Sequence, residues 1–502
     1  MVCAARNCPP GQKAGKALYY PISPPENDKY NPDRLPHIDL LNLPLRSQET
    51  YYETINKLTQ PNISARAQAK IMTQTGVSWL PLCASSKAFI HPTFFPVDPF
   101  HLFYENIMTF IWDIWTGVHA KDESDPVHLP DNKMKQLGEW IFNAAATLPP
   151  SFCSPVRNPY EKRNSQYKIY EWMAVLHWYF IPMAIELGID MQVLQNFSKL
   201  VRIVEFAMTP VPRSEPELAE LEQLTKEFEE EFEEVYVQGK PENISRMRLC
   251  VFQLIHIPRH AQWNGSVRVG SQATAERIIG ELGRKISSQK SPYANLANLI
   301  HETKLIKIMC LYLPELEPPS LEPDEDSPHR KKDRPYSQEH SITIKARQDT
   351  SPGSALSAEL DAIVKYVQKA HGIAIDLRSK AENIALTNPE ERVSPASHIY
   401  GEAHAFYTLR LDALPNTEVH IATYTPLLQV KHTLQCAIQG HWSGGTDVCV
   451  IECKHLHRIV GIWEAPSKHV YTLCKHPGLG ILTEEEWGQA NPEGSEDSTD
   501  VV

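Results

Sequence analysis

Between residues 100 and 115 nearly every position is apolar, and the run closes at Thr116-Gly117. A helix without a polar face is stable only when it is covered on all sides, so this segment predicts a core helix. Residues 167–187, carrying Trp172, Trp178 and Tyr179, repeat the pattern and predict a second one. The stretch 133–236 reads as mostly helical, and a shorter helix fits residues 47–58. Before residue 90, Pro9-Pro10, Pro24-Pro25, Pro32, Pro36 and Pro44 interrupt any period, so loops dominate there. Residues 356–378 fit one amphipathic helix. Past Ser397 the pattern changes to short β-rich runs at 403–411, 419–424, 448–451, 459–463 and 470–473, with turns at Pro415-Asn416 and Ser443-Gly444-Gly445. These predict a small antiparallel barrel or sandwich. No internal repeat is visible.

With 502 residues and 42% apolar content, the chain is long enough for several domains and too apolar for a disordered one. Proline, at 40 residues, is well above common usage and implies long connections. No run of 18 apolar residues exists, which speaks against a membrane span. No secretory h-region opens the chain, and ten scattered cysteines fit reduced thiols in a nuclear or cytoplasmic protein that is not secreted. The glycosylation-type tripeptides at Asn62, Asn196, Asn243 and Asn264 then carry no meaning.

Charge is unevenly spread. The net −12 excludes a basic nucleic-acid coat and leaves DNA contact to local patches. Residues 215–242 hold eleven Glu against two Lys and predict a solvated acidic helix or a disordered arm. Residues 246–290 reverse the sign, with Arg246, Arg248, Arg259, Arg268, Arg277, Arg284, Lys285 and Lys290 against two acids. They are the candidate nucleic-acid contacts. From 317 to 355 the chain is rich in proline and charge and reads as a linker, and its His329-Arg-Lys-Lys-Asp-Arg334 run is a candidate nuclear address.

Three constellations bear on chemistry. Asp98 precedes Pro99 at the end of a short extended run. It is a natural helix cap with proline at the first helical position, or else a carboxylate held where it can ligate a divalent ion. His101 and Glu105, four apart, share one helix face, and Asn106 follows. Glu276 lies in Ser271-Gln-Ala-Thr-Ala-Glu-Arg277, where Ser271 can cap a helix with apolar positions at Ala275, Ile278, Ile279, Leu282 and Ile286. Gly280 and Gly283 weaken that helix, which suggests close approach of something to its backbone. Glu276 is either an ordinary exposed acid or a functional one. Cys449, Cys453, His455 and His457, with Cys474 and His476 later, are zinc-type ligands lacking the usual Cys-x-x-Cys pair. Walker, nucleophile-elbow and dinucleotide motifs are absent.

Asp98-x-Phe-His101-Leu-x-x-Glu105-Asn106 with Trp115-Thr-Gly117, then His256-Ile-Pro258, Trp263-Asn-Gly265 and the segment 271–277, resemble the CACTA-like, Plavaka-type transposases of mushroom-forming fungi. The resemblance covers about residues 1–315, and the β-rich tail is similar to the family's C-terminal module. It implies a ribonuclease-H-like DDE enzyme, whose acids hold Mg2+ or Mn2+ for in-line attack on a DNA phosphodiester. By position Asp98 matches the second acid and Glu276 the last, which the resemblance implies lie about 4–8 Å apart. The family's first aspartate has no match. Asp28, Asp33 and Asp39 sit in Pro-rich loops, so the chain is expected to be an inactive, truncated relative.

The expected fold is therefore α/β plus all-β: a partial ribonuclease-H-like region (1–120), a helical insertion with the acidic segment (121–245), and a helical return carrying Glu276 (246–316). The linker (317–355), a helix with a small antiparallel β module (356–490) and a disordered tail (491–502) follow. Two further readings stay open. One is a non-enzymatic nuclear DNA- or chromatin-binding protein that uses the basic segment for phosphates and the β module for protein partners. The other is a helical scaffold with no nucleic-acid role.

Overall fold

The computed structural model describes residues 20–23, 40, 45–117, 125, 127–145, 147–148, 152–162, 167–211, 213–286, 290–313, 357–371, 399–410, 418–434, 437–443, 447–456 and 460–476. The expected linker, the 329–334 cluster, the 491–502 tail, Asp28, Asp33, Asp39 and His457 lie outside the described residues. Two compact units form, Met1–Ser271 with Ala355–Val502, and Gln272–Ser354. The helical body and the β module thus belong to one unit, and the second begins at Gln272.

Ser47 starts α1 (Gln48–Leu58) as the sequence predicts: its hydroxyl accepts the Thr50 amide at 3.2 Å, and the Thr50 hydroxyl accepts the Ser47 amide in return. α2 (Ala65–Thr75) ends at Gly76, whose φ of 69° suits glycine. Tyr51, Ile55 and Leu58 close over Val77 and Phe89 in a small core of their own.

The large core is built around two rods. The first runs as a wide π-helical segment (Phe100–Met108) continued by α3 (Thr109–Trp115). After α4 (Asp131–Ala144) and the short α5 (Pro159–Lys162), the second rod joins α6 (Ile169–Ala174), a π segment (Val175–Tyr179) and α7 (Phe180–Glu186). Both are buried on nearly every face. Trp115 stacks on Phe180 with centroids 4.0 Å apart, Phe197 closes on both rings, and Trp112 meets Trp172 edge-on. Each such side chain contributes roughly 1.5–3 kcal/mol of burial.

α8 (Met191–Met208) and α9 (Glu215–Phe232) wrap this core, and α9 continues as a third π segment (Glu233–Val237). The acidic stretch is therefore a helix with one solvated acidic face and one buried face. Its Leu221, Leu224, Phe228 and Phe232 face inward, while Lys199 spans Glu227 and Glu231 at 3.0 and 2.6 Å on the outer side. Glu229 falls on the inner face, where neither carboxylate oxygen finds a hydrogen bond among the described residues. Burial, with some help from Glu233, pushes its pKa up to about 8.

Arg246 also departs from expectation as a DNA contact. It is 3% exposed, donates to the Tyr236 carbonyl at 2.7 Å and pairs with Asp125 at 2.5 Å, out of reach of any phosphate. The chain returns through α10 (Leu249–Phe252), α11 (Ile257–Asn264) and a 3-10 turn, Val267–Gly270. Apart from single bridge residues at Leu45 and Arg248, the described part of residues 1–271 holds no strand. The extended run expected before Asp98 is coil. Pro96 and Pro99 lack the amide hydrogens a ladder needs.

α14 (Ser357–His371) lays Ile363 and Val367 on Val419 and Ile421 of a wholly antiparallel sheet. Its strands are β1 (Gly401–Arg410), β2 (Glu418–Thr433), β3 (Ala437–Trp442), β4 (Cys449–Glu452), β5 (Gly461–Glu464) and β6 (Val470–Leu473). They are ordered β1-β2-β3-β6-β5, with β4 also on β2. β2 bends at a bulge between Leu428 and Lys431, so its first half pairs β1 and β4 and its second half β3. The β5–β6 side closes onto the helical body. Trp463 meets Trp140, the Trp178 indole donates to the Cys474 carbonyl at 3.1 Å, and the Glu186 carboxylate takes His469 Nδ1 at 2.9 Å and the Tyr471 hydroxyl at 2.7 Å.

In the second unit α12 (Ala273–Lys285) and α13 (Pro292–Tyr312) contact one another. α12 starts with Gln272 at the cap position, one residue beyond the expected Ser271. No helix among the described residues is long and apolar enough to cross a membrane.

Two outcomes follow from the buried charges. Asp125→Ala strands the Arg246 guanidinium in the core and should cost about 3–5 kcal/mol in urea unfolding. Glu229 has a folded pKa above its unfolded one, so the native state keeps a proton that the unfolded chain has released. Stability is then full below pH ~4.5 and falls by roughly 1.4 kcal/mol per unit towards pH ~8. Glu229→Gln should remove that slope while matching the wild type in acid.

Candidate functional site

Asp98 stands where the loop enters the first rod. Its Oδ1 accepts the Phe100 amide at 3.0 Å, the bond of a helix cap, and its Oδ2 lies 2.6 Å from His101 Nδ1. The opposite imidazole nitrogen, His101 Nε2, faces Glu105 Oε2 at 3.4 Å. His101 and Glu105, expected on one helix face, lie side by side, and the cap residue Asp98 reaches the same imidazole. The Asp98 side chain is only 9% exposed, His101 and Glu105 are 35% and 55% exposed, and Asn106 points to solvent.

Behind them lies a group that sequence reading missed. Tyr104, on the first π segment, and His177, on the second, join through the Tyr104 hydroxyl and His177 Nε2 at 3.0 Å. Glu205 of α8 approaches His177 Nδ1 at 3.4 Å. With the Nδ1 proton towards the carboxylate, Nε2 is left to accept the tyrosine hydroxyl. Burial drives the Tyr104 pKa far up, Glu205 adds to the shift, and Arg268 opposes it. The signal available was His177 and Glu205 as ionisable residues set among apolar neighbours on helices.

Glu276 sits exposed in the first turn of α12, in the second unit. Gly280 and Gly283 of that helix have room for a side chain, since a Cβ on either meets nothing within 4 Å among the described residues. The tight glycine is instead Gly270. A Cβ there would collide with the Val97 carbonyl oxygen and crowd Pro96. The polypeptide that leads into α12 thus departs from the residue beside Asp98.

Of the basic residues, Arg277, Arg284, Lys285 and Lys290 are exposed. Arg248 lies half-buried over the Phe110 ring at 4.4 Å, Arg259 bonds Gln262 at 2.8 Å, and Arg268 is half-buried near Tyr104. Cys449 is in β4, Cys453 and His455 are in the turn after it, and burial raises both thiols. Among the described residues no group of three His, Cys, Asp or Glu side chains converges as a complete metal-ligand set.

No protein-family model, curated protein or solved structure matches the chain.

The glycines separate cleanly by experiment. Gly270→Ala should lower stability by about 1–3 kcal/mol through the clash with Val97. Gly280→Ala and Gly283→Ala should each leave α12 up to about 1 kcal/mol more stable, read from thermal unfolding.

Proposed function

We propose that this chain is a transposon-derived, nuclear DNA-binding protein whose helical body descends from the ribonuclease-H-like DDE transposases. The observation that supports it is the packing of Gly270 on Val97. The residues that immediately precede two motif segments, Val97 before Asp98 and Gly270 before the 271–277 run, pack together although about 170 residues separate them in sequence. In this reading Asp98 and Glu276 are the acids inherited from the Mg2+- or Mn2+-dependent ancestor. The residues at Asp98 do not favour that ion as they stand, because both carboxylate oxygens already accept protein donors. The activity derived is therefore binding. The C-terminal β module, anchored on one side by Glu186 and Trp140, offers its remaining surface to protein partners.

DNA contact falls to the exposed cations after residue 271. Arg277 and Arg284 are seven residues apart on α12, so they share a face at a spacing of roughly 10 Å, about three base-pair rises along a strand. Lys285 and Lys290 extend the same charge. Duplex DNA titrated at several salt concentrations should show a steep log–log slope. Reversing Arg277, Arg284, Lys285 and Lys290 to Glu should flatten it by about 0.9 per lost phosphate contact. Salt-independent or undetectable binding by the wild type contradicts the proposal.

A further inference from the structure

α13 repeats the composition of the two core rods without their cover. Glu302, Lys304 and Lys307 are its only acidic residues, lysines or arginines, and its large apolar residues point in every direction around the axis. A helix of that kind is stable only when surrounded, yet none of its side chains is buried. Tyr293, Leu311 and Tyr312 are 80–86% exposed. α12 is amphipathic and equally bare. Ala275, Ile278, Ile279, Leu282 and Ile286 form one stripe along it, and none of the five is buried. At about 100° per residue, Arg277 and Arg284 fall on the opposite side of the helix. The two helices thus meet without burying the apolar surface of either.

We infer that the α12–α13 pair is a dimerisation surface, covered by the same pair of a second copy of this chain in a four-helix bundle. Area is the first argument. Two large apolar side chains on α12 and eight on α13 are 40–86% exposed. At on the order of 100 Å2 apiece they offer roughly 1,000 Å2. The largest apolar patch of a typical monomer is about 300–600 Å2, whereas a stable interface takes about 800 Å2 from each partner. Charge is the second. The α12 stripe is uncharged, so it has no means of selecting an acidic or basic partner, and two like copies meet there without repulsion. Shape is the third. One docked peptide helix would cover a single face of α13, which is apolar all round, while a two-helix partner closes on it from two sides. A two-fold axis lets one patch serve as both halves of such a contact. The inference does not rest on the DNA-binding reading, which uses the Arg277–Arg284 side of α12, and burial of the stripe turns that side outward in both copies.

The test is sedimentation equilibrium of the full chain, without DNA, at several concentrations up to tens of micromolar. The wild type should weigh twice its 57.0 kDa. Ile279→Glu on α12 and Ile306→Glu on α13 each place a charge in the interface and should weaken the dimer at least tenfold. Both side chains are exposed within the chain, so both variants should keep the helical circular dichroism of the wild type. Arg277→Glu with Arg284→Glu, on the opposite side of α12, should retain the doubled mass whatever happens to DNA affinity, which separates failure of the DNA-binding reading from failure of this one. In a mixture of isotopically light and heavy copies, a lysine cross-linker should join Lys285 or Lys290 of one copy to Lys304 or Lys307 of the other. A monomeric wild type, with the pair covered from within its own chain, overturns the inference. So does a dimer that neither glutamate variant weakens, or one that cross-links between copies only through other segments.

Discussion

A helix that is apolar on every face has to be surrounded, and this chain contains two in sequence. The large core of the first unit is arranged to cover them. α8 and α9 close one side, α4 and the β5–β6 face of the sheet another, and the few polar groups on the rods can be satisfied only by one another or by the covering layer. Hence the Tyr104 hydroxyl meets His177, and the Trp115 indole donates to the Tyr236 hydroxyl at 3.1 Å. Arg246 then caps the Tyr236 carbonyl and pairs with Asp125, whose other oxygen takes Gln238 at 3.0 Å. A buried polar group left out of such a chain costs about 1–3 kcal/mol, so these contacts fix how the covering helices sit.

The three π segments fall where these contacts are made. Tyr104, His177 and Tyr236 each lie on one, and an i+5 turn swings a side chain off the register that an α turn would give it. A regular helix at residues 100–115 would keep the same apolar surface but aim Tyr104 elsewhere. The rods were legible from their composition and α1 from Ser47, because those signals are local. The π turns were not, because they answer to partners more than seventy residues away.

Charge misled for the same reason. Eleven Glu in residues 215–242 look solvated until α9 is given a face, and then Leu221, Leu224 and Phe228 carry one Glu229 inward with them. Arg246 opens a basic stretch in sequence yet ends as an internal ion pair, since its fate is decided by Asp125, 121 residues earlier. In the sheet, β3 was missed because Ala437, Gln439 and Gly440 lack β-formers. Gly440 is there because Leu427 of the neighbouring strand leaves no room for a Cβ. The run read at 419–424 is only the first part of β2, which continues through Pro426. Pro426 is tolerated because it pairs Gly401, the first residue of β1, at the point where the ladder passes to β3.

Asp98 is where local and distant reasoning diverge most usefully. Locally it is a helix cap, and the Phe100 amide makes it one. At a distance it is the neighbour of Val97, which is locked against Gly270, and that lock ties the entrance of the first rod to the exit towards α12. A carboxylate so placed cannot swing to follow a ligand. Its second oxygen is committed to His101, and through that ring its charge is felt at Glu105 and the solvent rather than at the loop where it sits.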